Sequence, residues 1–217
     1  MAFSAYFYKK FLMKRTVLVI LIILVVGLIL LWKLFFNTTE NRPPIEKDKP
    51  LTISRNSDAF TKSFSDLMTS YYGLRDALVD WDTSRADNAA SQMQQLADSL
   101  PVNEIKGDST IVLTAQNLAG SISNEIKGFK GETTIEQKRR AFNMITDELY
   151  NLIRTVRYHG ETIYHLRCPM AFNESEEGFW LSSTSKVINP YLGKKHPKYN
   201  GKMVGCGEVV DSLDFNK

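Results

Sequence analysis

The sequence predicts a mainly α-helical protein: an antiparallel four-helix bundle with a small β-containing C-terminal tail, preceded by one N-terminal transmembrane helix. Three observations predict this class. An uncharged apolar run fills residues 16–32, four amphipathic segments follow it, and helical periodicity stops after Gly160 in favour of turn-forming residues. The chain of 217 residues is long enough for one domain of ordinary size and such an appendage.

The N-terminal residues have the composition of a membrane anchor. Residues 16–36 are apolar apart from Lys33, and this span matches the roughly 30 Å thickness of a bilayer core. Because basic residues precede the span, the positive-inside rule predicts a single-pass inner-membrane protein with residues 1–15 in the cytoplasm and the following domain in the periplasm. A cleaved signal peptide is the alternative, but the run is long and no small-x-small cleavage site follows it.

Charge and composition exclude several classes of protein. The net charge of +3 arises at the N-terminal tip, since residues 37–217 hold 22 basic and 24 acidic side chains. We therefore expect no binding to nucleic acid. Residues 37–55 include three prolines and predict a short stiff linker.

Residues 56–160 are predicted to form the bundle. Apolar side chains recur every three or four residues, which is typical of helices that face a common core, and short connections favour antiparallel neighbours. Charged side chains such as Lys138, Arg139 and Arg140 are expected to be solvated. The four apolar stripes cover residues 60–81, 86–100, 111–129 and 142–156.

Residues 161–217 are predicted to form a tail that packs on the bundle, and they carry both cysteines of the chain. A short extended stretch is expected at Glu161–Leu166, and a basic loop at Lys194–Lys202. Four short motifs stand out in this tail: Cys168-Pro-Met-Ala, Trp180-Leu-Ser, Asn189-Pro-Tyr-x-Gly and Met203-x-x-Cys-Gly.

Four sulfur atoms in the tail could form a soft-metal site. Cys168, Met170, Met203 and Cys206 supply two thiols and two thioethers. Such donors favour Cu(I) over hard cations, so copper is the expected cofactor if the two segments pair. His165 is a weaker candidate ligand, because in a regular strand its side chain and that of Cys168 point to opposite faces.

Two other states of the cysteines stay open. An exported compartment is oxidising, and a Cys168–Cys206 disulfide would close a loop of 37 residues. In the chain-entropy model that closure stabilises the fold by about 3–4 kcal/mol, and Met170 and Met203 would then only fill space. Free or redox-cycling thiols are the third possibility. Neither a phosphate-binding glycine loop nor a hydrolase motif is present, so we expect no enzymatic activity and no catalytic residues.

In combination, the four tail motifs resemble those of an exported bacterial domain of unknown function, and the similarity covers roughly Asp58–Val210. That family consists of a helical bundle followed by a cysteine-bearing tail. It is also found at the C-terminus of periplasmic adaptor (membrane-fusion) subunits of copper/silver efflux pumps. The resemblance therefore implies metal-efflux components as partners, and it offers no catalytic residues to carry over. One departure is the Lys194–Lys202 insertion between the last two motifs.

Overall fold

The fold is that of a computed structural model, which describes residues 25–30, 33 and 56–216. The chain divides into two compact units, Met1–Asp48 and Lys49–Lys217. In the first unit the described residues are helical. The second unit contains four helices, a three-stranded sheet and both cysteines.

The predicted membrane anchor falls largely on residues that are not described. Residues 1–15 and 37–55 lie outside the described ranges, and so does most of the predicted span 16–36. None of the helices in the described ranges has both the length and the apolar character needed to cross a bilayer.

Four helices make up about half of the described residues, against a small three-stranded sheet, which confirms the mainly helical prediction. Their bounds are α1 Asp58–Val79, α2 Thr83–Asp98, α3 Ser109–Gly131 and α4 Ile135–Val156, with a 3₁₀ turn at Val102–Glu104. Each helix begins at a polar residue whose side chain accepts a hydrogen bond from a backbone N–H two or three positions later. These N-cap residues are Ser57, Asp82, Asp108 and Thr134.

The apolar stripes of the helices meet in one core. Tyr71 connects the first helix to the last, because its ring stacks on Phe142 at 5.2 Å between centroids. The Tyr71 hydroxyl lies 2.7 Å from Thr146 Oγ1, so a polar contact accompanies the aromatic one. The side chains that α1 buries completely include Phe60, Phe64, Leu67, Met68, Tyr71, Leu74 and Leu78.

The C-terminal residues form a small antiparallel sheet. Its strands are β1 Ile163–Phe172, β2 Glu176–Ser182 and β3 Glu208–Leu213, in the order β2-β1-β3. The central strand β1 extends well beyond the stretch predicted at residues 161–166. Its register with β2 is regular from Tyr164 to Cys168 and shifts before Phe172. Pro169, which has no N–H to donate, falls in that irregular part.

Hydrogen bonds from α1 hold the C-terminal module, residues 161–216, on the helices. The Tyr71 hydroxyl accepts a hydrogen bond from the backbone N–H of Leu181 at 3.0 Å. The Trp81 indole N–H donates to the carbonyl of Leu192 at 3.1 Å. The sheet is therefore tied to α1, and the long loop between β2 and β3 is tied to Trp81, two residues beyond the end of that helix.

Candidate functional site

The two cysteines of the chain lie side by side. Cys168, on β1, is fully buried, and Cys206, just ahead of β3, is partly buried. Both thiols are free, and their Sγ atoms are 3.9 Å apart. A disulfide needs a separation of about 2.05 Å. Two thiolates bound tetrahedrally to one ion at about 2.3 Å lie roughly 3.8 Å apart. The observed spacing is therefore that of two free thiols in contact, too long for a disulfide and close to the separation of two sulfur atoms that share one ion.

Asn189 holds the segment that carries Cys206. Its side-chain N–H donates to the Cys206 carbonyl at 2.7 Å, and its backbone N–H donates to the carbonyl of Val204 at 2.8 Å. Its side-chain oxygen accepts from the N–H groups of Tyr191 at 2.8 Å and Leu192 at 3.0 Å. Since Asn189 is fully buried, these bonds explain why the Asn-Pro-Tyr motif needs an amide at this position.

Gly207 lets the Cys206 segment approach the sheet. It has φ of +139°, and a Cβ atom there would lie 2.7 Å from the Arg167 carbonyl oxygen and 2.7 Å from the Trp180 ring. Any side chain would push the segment away from β1. Directly before it, the Cys206 N–H donates to the Met203 carbonyl at 3.0 Å, which closes the Met-x-x-Cys turn.

The thiol of Cys206 is protonated at neutral pH. Burial raises its pKa, and the neighbouring Cys168 sulfur raises it further through its charge and its hydrogen bond. A protonated thiol is a weak nucleophile and a weak ligand, so a metal ion would have to displace the proton. Cys206 could therefore act as a thiolate ligand only with release of this proton.

The two predicted methionine ligands have different surroundings. Met203 packs partly buried against the core, in the same turn as Cys206. Met170 lines a cleft that contains the Arg139 guanidinium, whose positive charge disfavours a cation. Within the described ranges there is no group of three or more His, Cys, Asp or Glu side chains placed to hold a metal ion.

His165 lies on the opposite face of β1 from Cys168, because the register with β2 is uninterrupted from Tyr164 to Cys168. The pairing with β3 shifts directly after His165, where β3 contributes one extra residue. The His165 ring stacks on Tyr150 at 4.3 Å and contacts Phe179 at 5.1 Å between centroids. Burial lowers its pKa, so the imidazole is neutral over most of the physiological range. The structure thus places His165 in an aromatic cluster and not beside the thiols.

The expectation that the charged residues of α4 are solvated is wrong at two of three positions. Arg140 is exposed, but only 3% of Lys138 and 4% of Arg139 is exposed. The helical periodicity could have indicated the burial of Lys138 and Arg139, since both lie about one turn before Phe142 on the buried face of the helix. Lys138 is paired with Asp87 at 2.6 Å, whereas Arg139 forms no salt bridge in the described part of the chain.

Comparison with known proteins gives one match. Residues 67–159 match the sequence model of a family described as a protein of unknown function (DUF3347). The match covers less than half of the 217 residues, begins within α1 and ends before β1. It supports a domain of unknown function in the helical bundle and includes none of the four tail motifs. No curated protein and no solved structure matches the chain.

Proposed function

We propose that this is a membrane-anchored periplasmic protein that binds Cu(I), or another soft metal ion, in connection with heavy-metal efflux or homeostasis. The observation that carries the proposal is the 3.9 Å separation of the Cys168 and Cys206 sulfur atoms. Two thiolates at this spacing can bind one soft ion with little rearrangement. Metal-efflux components are the proposed partners, and residues 16–36 are the proposed anchor in the inner membrane.

Met203 is the proposed third ligand, because its turn leads directly into Cys206. A thioether suits Cu(I) and adds no charge, so two thiolates and one methionine would leave the site with a single negative charge. Met170 and His165 are weaker candidates. The first shares its cleft with Arg139, and the second lies across the strand from Cys168.

The alternative is a non-catalytic periplasmic interaction or scaffold domain with a Cys168–Cys206 disulfide. Two observations favour it: the sulfur atoms are already neighbours, and Cys168 is fully buried in the core. A periplasmic location would be oxidising, so the bond would persist once formed. It would join β1 to the segment before β3 and stabilise the module by about 3–4 kcal/mol.

One experiment separates the two proposals. The full-length protein is extracted from membranes without reductant, its intact mass and thiol alkylation are measured, and it is then titrated with Cu(I) anaerobically against a competing chelator. One bound ion that protects both thiols from alkylation supports the metal proposal. A mass lower by two hydrogens, with no alkylatable thiol, supports the disulfide. Two free thiols that take up no Cu(I) contradict both proposals.

Paired methionine variants test the ligand set. Met203→Leu removes one sulfur at nearly constant volume and is expected to weaken Cu(I) binding by about tenfold, which is about 1.4 kcal/mol. Met170→Leu is the matched control and should leave the affinity unchanged. Equal affinities for both variants would remove Met203 from the site.

A further inference from the structure

Arg139 is a buried cation that forms no direct ion pair with any of the described residues 56–216. Its Nε donates to the Pro190 carbonyl at 2.8 Å and its Nη2 to the Leu78 carbonyl at 3.1 Å, while the guanidinium carbon lies 4.0 Å from the centre of the Trp81 ring. In the described chain it forms no ion pair, and its Nη1 has no hydrogen-bond partner. A buried charge is costly unless it is paired. An anion that accepts hydrogen bonds from the guanidinium would therefore be bound favourably.

The unpaired guanidinium lines a cleft of about 440 Å³. This volume is within the range of about 300–1,000 Å³ that is typical of small-molecule sites. The lining of the cleft combines aromatic and aliphatic side chains with polar and charged ones. The aromatic walls are Trp81, Phe172, Tyr191 and Tyr199. Such walls suit a planar apolar body that can stack on aromatic rings.

His196 places a second hydrogen-bond donor at the cleft. Its Nδ1 accepts a hydrogen bond from the Lys198 backbone N–H at 3.2 Å, so the ring proton of the neutral imidazole is on Nε2. Burial and the nearby Arg139 charge lower the pKa of His196, which keeps the ring neutral at pH 7. Its Nε2 has no hydrogen-bond partner within the described ranges. Arg139 and His196 thus both line one cavity, and each has an N–H group without a hydrogen-bond partner among the described residues.

The acidic residues at the cleft compensate the Arg139 charge only in part, because the Glu136 charge raises the pKa of Arg139 by less than burial lowers it. Glu174 is paired with Lys198, which neutralises it locally. Glu136 is exposed and forms no ion pair with Arg139. Burial lowers the pKa of Arg139 to about 9, so the guanidinium is still charged at neutral pH. The cleft therefore favours an anion and disfavours a metal ion.

We propose that this cleft binds a small carboxylate with a planar apolar body, separate from the thiol site and beyond the proposed metal function. The carboxylate would accept hydrogen bonds from Arg139 Nη1 and His196 Nε2, and the body would lie between the aromatic walls. A carboxylate is the expected anion because its two oxygens match the planar donors of a guanidinium. The bound anion would also supply the missing counter-ion.

The test compares two probes of equal shape on the full-length protein in detergent. Benzoate carries the charge, and benzamide is its neutral counterpart. By calorimetry or ligand-observed NMR, benzoate should bind about tenfold or more tightly than benzamide, because only the anion pairs with the buried cation. Equal binding of the two probes, or binding of neither, overturns the proposal. Binding of inorganic phosphate but not benzoate would overturn the carboxylate assignment.

Variants then locate the site. Arg139→Lys keeps the charge but loses the planar donors, and should weaken benzoate binding by about tenfold. Arg154→Lys, on the exposed side of the same helix, is the matched control and should bind like the wild type. His196 lies outside the helical core, so His196→Ala should leave the protein folded. Its affinity for benzoate should fall several-fold. Benzoate binding that neither site variant changes contradicts the assignment. The comparison of benzoate with benzamide on the wild type remains decisive if Arg139→Lys fails to fold.

Discussion

The helical bundle and the C-terminal module are stabilised in different ways. In α1 to α4, many apolar side chains share one core, and each contributes mainly through the area it buries. In the module, apolar side chains of the sheet join that same core, but the long loop between β2 and β3 is held mainly by a few residues with a unique geometry, above all Asn189 and Gly207. Damage to the bundle should therefore lower global stability, whereas damage to the module should open the thiol site locally.

The largest effect is expected from Phe64→Ala in the bundle. Phe64 is fully buried and stacks on Tyr158 at 4.6 Å between centroids. Its truncation should cost about 3–5 kcal/mol of unfolding free energy, measured by chemical denaturation. At denaturant concentrations below the unfolding transition, Cys206 of this variant should be alkylated at the same rate as Cys206 of the wild type. Faster alkylation in the folded state would mean that the two regions are not independent.

A smaller but more local loss is expected from Asn189→Ala. The change leaves the Cys206 carbonyl and the N–H groups of Tyr191 and Leu192 without partners. Stability should fall by about 2–4 kcal/mol, since each buried unpaired group costs about 1–3 kcal/mol. Hydrogen exchange should increase across residues 187–207 while the helices keep their protection. Uniform loss of protection across the bundle would contradict this separation.

Two neighbouring glycines sharpen the comparison. Gly207→Ala should destabilise the protein by about 1–3 kcal/mol, because the new Cβ meets the Arg167 carbonyl and the Trp180 ring at 2.7 Å each. Gly205→Ala is the control: nothing lies within 4 Å of its Cβ position, so its effect should stay within about 0.5 kcal/mol. Thermal unfolding of both variants should show a lower melting temperature for Gly207→Ala than for Gly205→Ala. Similar melting temperatures would show that Gly207 is not needed for the close approach.

The smallest effect concerns pH and His165. Burial lowers its pKa in the folded state below the ordinary value of 6.5. As the pH falls below about 6.5, the unfolded chain therefore takes up the proton first, and stability decreases until the folded-state pKa is reached. Below that pKa the loss is constant. His165→Phe should fill the same aromatic cluster and show a flatter dependence of unfolding free energy on pH. An unchanged slope would assign the effect to other groups.

Local sequence patterns were sufficient to predict the four helices, because helical contacts join residues three or four positions apart. The same pattern marked Lys138 and Arg139 as buried, but their charge led to the opposite expectation. The strands β2 and β3 were not predicted individually, since each depends on pairing with β1. The β3 partner of Arg167 is Glu208, 41 positions away.

Four features follow from the sequence alone: the apolar N-terminal run, the helical stripes, the presence of two cysteines and the unusual tail motifs. Only the folded structure shows whether motifs far apart in the sequence contact each other. The 3.9 Å contact between Cys168 and Cys206 joins positions 38 residues apart, and it exists because Asn189 and Gly207 bring the last loop onto β1. The unpaired Arg139 likewise becomes a candidate site only when the chain folds around it. Both features depend on contacts through space, which local periodicity does not encode.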